Sequence, residues 1–221
     1  LDGLGTSWER ITIGGFEHDG GTVLDTGDLD GDGDPDVVTN KIIYSSRNTY
    51  FLLWFENLDG TGESWAERII DPSMLFWGSW VECVDLDLDG DVDVLKDVYW
   101  YENADGSGTD WIRHTFTTEW GGHCVHASDL DGDGDLDVVG AYNGYESAVD
   151  VCWFENQGFE SDNWLLHVID NDAWGANAVW TADFDHDGDM DVAGAIKRQA
   201  NKKLVWWENV VGDGTVWNCR V

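Results

Sequence analysis

Short apolar stretches alternate along the whole chain with segments rich in Asp, Gly and Asn. The apolar stretches contain mainly Val, Leu, Ile and aromatic residues, and no long segment has apolar residues at the 3.6-residue spacing of a helix. The segments between them have the composition of turns. The pattern therefore predicts an all-β chain built from short strands.

Four Asp-rich segments recur in phase with these predicted strands. They start at residues 28, 85, 129 and 183, and each is followed by an apolar run, a Trp-aromatic-Glu-Asn (WxEN) motif and a strand that begins with Trp. Recurrence at intervals of 44 to 57 residues is typical of repeat proteins. Each repeat is predicted to contain four antiparallel strands, with the Asp-rich loop between the first and the second. Such repeats are typical of β-propeller blades, and Trp residues at fixed positions suit packing between blades.

The repeats also predict the domain organisation. We expect one β-propeller, or a fragment of one, over residues 1–221, and residues 1–13 are similar to 58–70, the last strand of a repeat. They are therefore predicted to be an extra N-terminal strand that belongs to a preceding repeat. We therefore hypothesise that the chain is part of a larger propeller, or that self-association or neighbouring domains complete its ring. The four complete repeats are predicted at about 14–70, 71–117, 118–170 and 171–221.

Composition restricts the classes of partner. The chain has 45 acidic and 11 basic residues, a formal net charge of −34, so we expect cations as ligands and no nucleic acid partner. No apolar run is long enough for membrane insertion. The 15 Trp residues exclude a disordered acidic chain. The four cysteines form no CxxC zinc pattern. The sequence is compatible both with two disulfides and with four buried free thiols.

The first Asp-rich loop, DLDGDGDPD, has the chemistry of a calcium site. When Asp28 is counted as position one, carboxylates stand at positions one, three, five, seven and nine, and Gly33 at position six allows a sharp turn. Alternate carboxylates together with the backbone carbonyl of position seven make an oxygen cage suited to Ca²⁺. A cation would also offset the repulsion between these carboxylates. The alternatives are a solvated acidic turn without an ion and an ion with a purely structural role.

The loops resemble only the first half of an EF-hand. Position twelve, where an EF-hand has a bidentate Glu, is Thr39, Lys96, Gly140 or Gly194, and the flanking sequence is strand-like. The in-phase motif DxDGDGDxD…WxEN, which covers nearly the whole chain, instead resembles the FG-GAP/VCBS repeat family of integrin-alpha-like, calcium-binding β-propellers.

This resemblance implies one Ca²⁺ per repeat, four in all, bound by the loops between the first and second strands. Leu88 and His186 replace Gly at position four of two loops, which is expected to weaken those loops slightly. The implied ligands are Asp28, Asp30, Asp32, Asp34, Asp36, Asp85, Asp87, Asp89, Asp91, Asp93, Asp129, Asp131, Asp133, Asp135, Asp137, Asp183, Asp185, Asp187, Asp189 and Asp191.

Three of the loops are preceded by a Trp-Gly pair. If exposed on a rim, these rings would stack on the apolar face of a sugar; if buried, they would pack between blades. The Glu and Asn of each WxEN motif are expected to fix a turn at a strand end. The residues three positions before the loops differ from repeat to repeat, and this variety argues against a repeated site in the central channel. The Trp-Gly residues are Trp77, Trp120 and Trp174, and the varying residues are Asp25, Glu82, His126 and Trp180.

Three functions are compatible with this sequence. Members of the resembled family include lectins and integrin-type adhesion heads, so we expect a non-catalytic, lectin-like or adhesion module, secreted or on the cell surface, that binds glycans or extracellular proteins. The alternatives are a structural scaffold within a larger secreted protein and a calcium-dependent polysaccharide lyase. The net charge disfavours the lyase, because an acidic chain repels a uronate polymer. No arrangement of Ser, His, Asp or Cys that would predict catalytic residues is recognisable.

Overall fold

The computed structural model describes most of the chain, and the described part is all-β. Sixteen strands form four separate four-stranded antiparallel sheets, and no helix occurs within the described residues. The prediction of four-stranded antiparallel repeats is confirmed at this level. The described residues are 8–15, 20–43, 49–74, 80–117, 122–142, 149–158, 164–197 and 203–220.

Each sheet is built from four strands in chain order. Sheet 1 contains β1 (Gly20–Gly27), β2 (Asp36–Ile43), β3 (Thr49–Asn57) and β4 (Trp65–Met74). Sheet 2 contains β5 (Glu82–Val84), β6 (Asp93–Lys96), β7 (Tyr99–Asn103) and β8 (Trp111–Thr115). Sheet 3 contains β9 (Gly122–Ser128), β10 (Asp137–Tyr142), β11 (Val151–Asn156) and β12 (Trp164–Asp170). Sheet 4 contains β13 (Ala176–Ala182), β14 (Asp191–Ile196), β15 (Lys203–Asn209) and β16 (Trp217–Arg220).

The sheets follow one another as propeller-like blades. The first strand of each sheet contacts the first strand of the next: β1 contacts β5, β5 contacts β9, and β9 contacts β13. Among the described strands, no pairing joins sheet 4 to sheet 1, so the sheets do not merge into one closed barrel. The four first strands therefore form the side of the molecule on which the sheets converge.

In the described part of the chain, the buried apolar side chains form three clusters, one between each pair of adjacent sheets. Strand β3 shows why the sequence forms such layers: Leu52, Leu53, Trp54 and Phe55 are all buried. A strand with one solvated face would alternate apolar and polar residues, whereas this strand is apolar on both faces. Strand β3 is therefore covered on both sides.

Two Trp side chains pack into gaps that only Gly leaves open. A β-carbon at Gly108 would lie 2.6 Å from the ring of Trp54, which reaches across from sheet 1. Gly214 meets Trp153 of sheet 3 in the same way, and the Trp153 indole N–H donates to the Gly214 carbonyl at 3.1 Å. The WxEN Trp and the Gly-rich turn after the next WxEN motif thus form a repeated contact between sheets.

Two further expectations concern the termini and the cysteines. Residues 8–15 form no strand, although Gly14 lies against the Phe55 ring, and residues 1–7 of the predicted extra strand lie outside the described residues. All four cysteines are free thiols, so neither of the two disulfides that the sequence left open is formed. Three of the four are at least partly buried, and Cys219 is exposed.

Candidate metal centres

Each Asp-rich loop connects the first and second strands of its sheet, as predicted. The same backbone hydrogen bonds shape all four loops: the N–H of position six is donated to the carboxylate of position one, and the N–H of position seven to that of position five. The N–H of position five is donated to the carboxylate of position three. These bonds turn successive carboxylates towards the inside of the loop.

Positions four and six adopt backbone conformations that suit Gly. Gly33, at position six, has φ of 93°, and its equivalents in the other loops are all Gly with similar values. Position four is also left-handed in every loop, including the two where it is not Gly: φ is 60° at Leu88 and 66° at His186. The loop geometry is thus retained in these two repeats at the expense of backbone strain.

Three carboxylates converge in every loop. In each group, one oxygen per residue lies within 4.8 Å of the others. Oxygens that share one Ca²⁺ at about 2.4 Å are at most about 4.8 Å apart, so the spacing fits a single ion of that size. The groups are Asp28, Asp30 and Asp32; Asp85, Asp87 and Asp93; Asp129, Asp131 and Asp137; and Asp183, Asp185 and Asp191.

In two loops, one carboxylate oxygen of position one is buried without a hydrogen-bond partner among the described residues, as expected of an oxygen that binds a cation. Asp28 Oδ1 and Asp85 Oδ1 are buried and, within the described residues, accept no hydrogen bond. A buried carboxylate oxygen without a partner is costly unless a cation or a proton satisfies it. The residues present therefore fit a hard cation, and positions one and three of each loop, with five or nine, would hold it.

Position nine has a structural role that the spacing did not predict. Asp36 begins β2 and is buried; its Oδ2 accepts the Leu29 N–H and its Oδ1 accepts the Asn57 N–H, both at 2.9 Å. The equivalent Asp residues of the other loops make the same two bonds. This carboxylate therefore joins the loop to the WxEN motif and, in three loops, also belongs to the cluster.

The charge of position nine is unfavourable without a cation. Burial and the neighbouring carboxylates raise the pKa of Asp36 to about 6 and the pKa values of Asp93 and Asp137 to about 7. They also raise the pKa of Asp191. A bound cation would favour the ionised form of these groups and so oppose this shift.

Position seven differs from the other predicted ligands. The Asp34 carboxylate lies against the backbone of Gly60, in the turn after the WxEN motif, so tightly that a β-carbon there would overlap it. Asp91 and Asp189 lie in the same way against the equivalent Gly residues. Their side chains stand outside the clusters, which agrees with a contribution of position seven through its backbone carbonyl. Asp135 and the side chains of position five in loops two to four also lie outside the clusters.

The WxEN motif holds strand ends together rather than forming a separate site. The Asn103 amide donates to the Leu29 carbonyl of sheet 1 at 2.9 Å, and its Oδ1 accepts the Gly108 N–H. Asn209 bonds sheet 4 to Leu130 of sheet 3 in the same manner. The Glu of the motif pairs with a basic side chain on the fourth strand of its own sheet: Glu56–Arg68, Glu102–His114, Glu155–His167 and Glu208–Arg220.

The Trp-Gly residues are only partly described. Trp77 and Trp120 lie outside the described residues, and Trp174 is 41% exposed before β13. The four residues that differ before the loops, in contrast, come together. Asp25, Glu82, His126 and Trp180 line one cavity where the first strands converge. Their variety argued against a repeated site, and the one cavity that they line is composed of four different side chains.

The chain has two informative similarities. The family model of the FG-GAP-like repeat matches residues 96–140 and 129–194, a span that includes the third and fourth Asp loops. Residues 96–194 belong to the FG-GAP-like repeat family. This confirms the family resemblance of the DxDGDGDxD…WxEN motif. A comparison with curated protein sequences gave no significant match.

The chain is also similar in fold to a larger enzyme. The crystal structure of the rhamnogalacturonan lyase YesW at 1.40 Å resolution superimposes with a TM-score of 0.56 and 14% sequence identity over 87% of this chain. The chain spans 30% of the length of that lyase. At this identity the similarity shows the fold alone.

Within the described residues, no helix has the length and hydrophobicity needed to span a membrane.

Proposed function

We propose that the protein is a calcium-binding, propeller-like recognition module and that each of its four Asp loops binds one Ca²⁺. The observation that carries this proposal is the recurrence of one carboxylate cluster, of a size that suits Ca²⁺, at the same place in every sheet. The unpaired buried oxygens of Asp28 and Asp85 support it. Each ion would stabilise its loop and, through position nine and WxEN, the packing of neighbouring sheets.

Calcium titration of the metal-free protein by isothermal calorimetry tests the number of sites. We expect four Ca²⁺ per chain, and three after Asp85→Asn, because that change removes a charge from a single cluster. The matched control is Asp59→Asn, which removes the same charge from an exposed turn outside the clusters and should leave four. A wild-type protein that binds no Ca²⁺ at millimolar concentration would refute the proposal.

The module is proposed to act by binding rather than catalysis, outside the cell, with glycans or extracellular proteins as partners. Adhesion and lectin functions in the FG-GAP-like family support this proposal, and the net charge of −34 is compatible with it. Binding to arrayed glycans and extracellular proteins, measured in Ca²⁺ and in EDTA, tests it. The absence of any ligand in Ca²⁺ would favour the structural scaffold instead.

A polysaccharide lyase is the second candidate, and the observation in its favour is the fold similarity to a rhamnogalacturonan lyase. The high negative charge of this chain opposes the approach of an acidic polysaccharide. Incubation with rhamnogalacturonan, followed through the ultraviolet absorbance of an unsaturated product, separates the two functions. We expect no product, and turnover that disappears after His126→Ala would establish the enzyme.

We further propose that a second copy of the chain covers the outer face of sheet 4. Leu204 on this face is 83% exposed and Phe184 is 45% exposed, whereas Leu29 and Leu130, which occupy the Phe184 position in sheets 1 and 3, are at most 1% exposed. Within the described residues, the turn after the WxEN motif of sheet 1 lacks the Trp contact that the turns of sheets 2 and 4 receive. A β-carbon at Gly62 would meet no Trp of another sheet, unlike Gly108 and Gly214.

A further inference from the structure

A cavity of about 740 Å³ lies where the first strands of the four sheets converge, and none of the clustered Asp residues lines it. Its volume is within the range of small-molecule sites, about 300–1,000 Å³. Every sheet contributes to its wall, because the residue three positions before each Asp loop points to the same space. These residues are Asp25, Glu82, His126 and Trp180, and Trp80 and Leu24 lie beside them.

The polar part of the wall presents hydrogen-bond acceptors. Glu82 Oε1 lies 2.8 Å from His126 Nδ1, and Glu82 Oε2 accepts the Ala127 N–H at 3.3 Å. Because Nδ1 faces this carboxylate, Nε2 is the ring nitrogen that is left to face a ligand. Asp25 Oδ2 accepts the Cys83 N–H at 2.8 Å. Within the described residues, His126 Nε2 and Asp25 Oδ1 have no hydrogen-bond partner and remain available to a ligand.

The aromatic part of the wall is a fixed, half-exposed ring. The His126 imidazole stacks on Trp180 with ring centroids 3.9 Å apart and an interplanar angle of 16°, and Trp80 meets Trp180 edge-on at 6.4 Å. Trp180 is nevertheless 52% exposed. His126 covers one face of the ring, and part of the remaining ring surface lines the cavity. A ring held by its neighbours can stack on a ligand with little loss of conformational entropy.

The charge of the wall selects among ligands. The carboxylates of Asp25 and Glu82 and the net charge of −34 repel anions, including uronates. Unoccupied acceptors require a ligand with several donors, and an apolar ring requires a flat apolar face. The hydroxyl groups and the C–H face of a pyranose meet both requirements.

We propose that this cavity binds a neutral oligosaccharide, with the apolar face of one pyranose unit against the part of Trp180 that lines the cavity and the hydroxyl groups of a neighbouring unit hydrogen-bonded to His126 Nε2 and Asp25. The proposal rests on the recognition function proposed above and names its ligand class. One composite site per chain results, because the four sheets contribute four different side chains. This explains why these positions vary although the metal loops are repeated.

Calorimetric titration in Ca²⁺ tests the site, with neutral gluco-, galacto- and manno-oligosaccharides as probes. We expect at least one neutral series to bind, with a loss of at least tenfold in affinity after Trp180→Ala and a clear loss after Asp25→Asn. The matched control is Trp8→Ala, because Trp8 is 88% exposed and does not line the cavity. Its affinity should stay within twofold of the wild type. Circular dichroism and Ca²⁺ stoichiometry confirm that each variant is folded.

Three outcomes would overturn the proposal. The first is the absence of binding to every neutral series, and the second is preferential binding of oligogalacturonate or choline. The third is saccharide affinity that is retained in Trp180→Ala but lost in Trp174→Ala, which would place the sugar at the Trp-Gly pair before β13. The proposed calcium-binding module would fail only if the protein bound no Ca²⁺ or no ligand on the array, and this is distinguishable from a failure of the saccharide site. Four bound Ca²⁺ with a protein ligand on the array would leave the module standing and refute only the saccharide site.

Discussion

Leu88 and His186 show, at the scale of the residue, what the Asp loop demands of its backbone. Both have a left-handed conformation where the other two loops have Gly. A left-handed L-residue costs about 1–2 kcal/mol relative to its favoured conformation. The strain therefore lies in the second and fourth loops only.

We predict that Leu88→Gly stabilises the calcium-loaded protein by about 1 kcal/mol, because it removes this strain and the Leu88 side chain is 53% exposed. Urea unfolding in the presence of Ca²⁺ measures the change. Leu88→Ala is the control, because it shortens the side chain but keeps the β-carbon and should give no gain. Equal stabilisation by both variants would show that the side chain, not the backbone, matters.

The charged carboxylate of Asp71 contributes to the packing between sheets 1 and 2. Its carboxylate accepts hydrogen bonds from the Tyr101 hydroxyl and from Arg113, both at 3.0 Å, and from Ser73. Burial acts to raise the pKa of Asp71, but these hydrogen bonds and the Arg113 charge hold it below its ordinary value. Because the folded-state pKa is lowered, this stabilisation is complete above the unfolded pKa of about 3.9 and is lost as the pH falls through the folded value.

We therefore predict that Asp71→Asn lowers the unfolding free energy at pH 6 by about 2 kcal/mol, since it weakens a largely buried network. The difference between variant and wild type should shrink as the pH falls from about 5 towards 3. Denaturant unfolding of both proteins across this range measures it, and the comparison cancels effects of the metal centres. A difference independent of pH would contradict the role of the Asp71 charge.

At the scale of the element, WxEN is the part of the repeat that connects one sheet to another. Asn103 is buried and bonds to the Leu29 carbonyl across the interface, whereas Asn57 has no such bond to another sheet within the described residues. We predict that Asn103→Ala costs about 2 kcal/mol of unfolding free energy and that Asn57→Ala costs clearly less, because only the first leaves acceptors of two sheets unpaired. Thermal unfolding of both variants tests this difference, and equal losses would refute it.

The repeat pattern was sufficient to predict these elements, but not every role within them. Strand number and loop position followed from apolar runs and turn residues, because both are local properties. Position nine was predicted as a ligand, yet Asp36 also binds the Asn57 N–H from a different strand. Likewise, Asp34 lies on Gly60, 26 residues further along the chain. Such contacts depend on how strands are placed beside each other, which spacing within one loop does not specify.

At the scale of the whole molecule, the composite cavity and the exposed end of sheet 4 share one cause. Within the described residues, sheets 2 and 3 contact a neighbour on each face and sheets 1 and 4 contact one neighbour, so a repeated position that is buried in the middle sheets is exposed on the outer face of sheet 4. The central positions, in contrast, face a common space and are free to differ. The sequence variety at Asp25, Glu82, His126 and Trp180 therefore argues against a repeated site but is compatible with one shared site.

The outer face of sheet 4 gives the last prediction. If a second copy covers it, the protein should sediment as a dimer at micromolar concentration in Ca²⁺, because this face is apolar and its equivalents in the other sheets are buried. Leu204→Asp should yield a monomer, since it places a charge within the contact. Leu165→Asp is the matched control, because Leu165 is exposed on the fourth strand of sheet 3 and should leave the dimer intact. A wild-type protein that is monomeric up to about 100 µM, or two variants that dissociate equally, would exclude a second copy as the partner of this face.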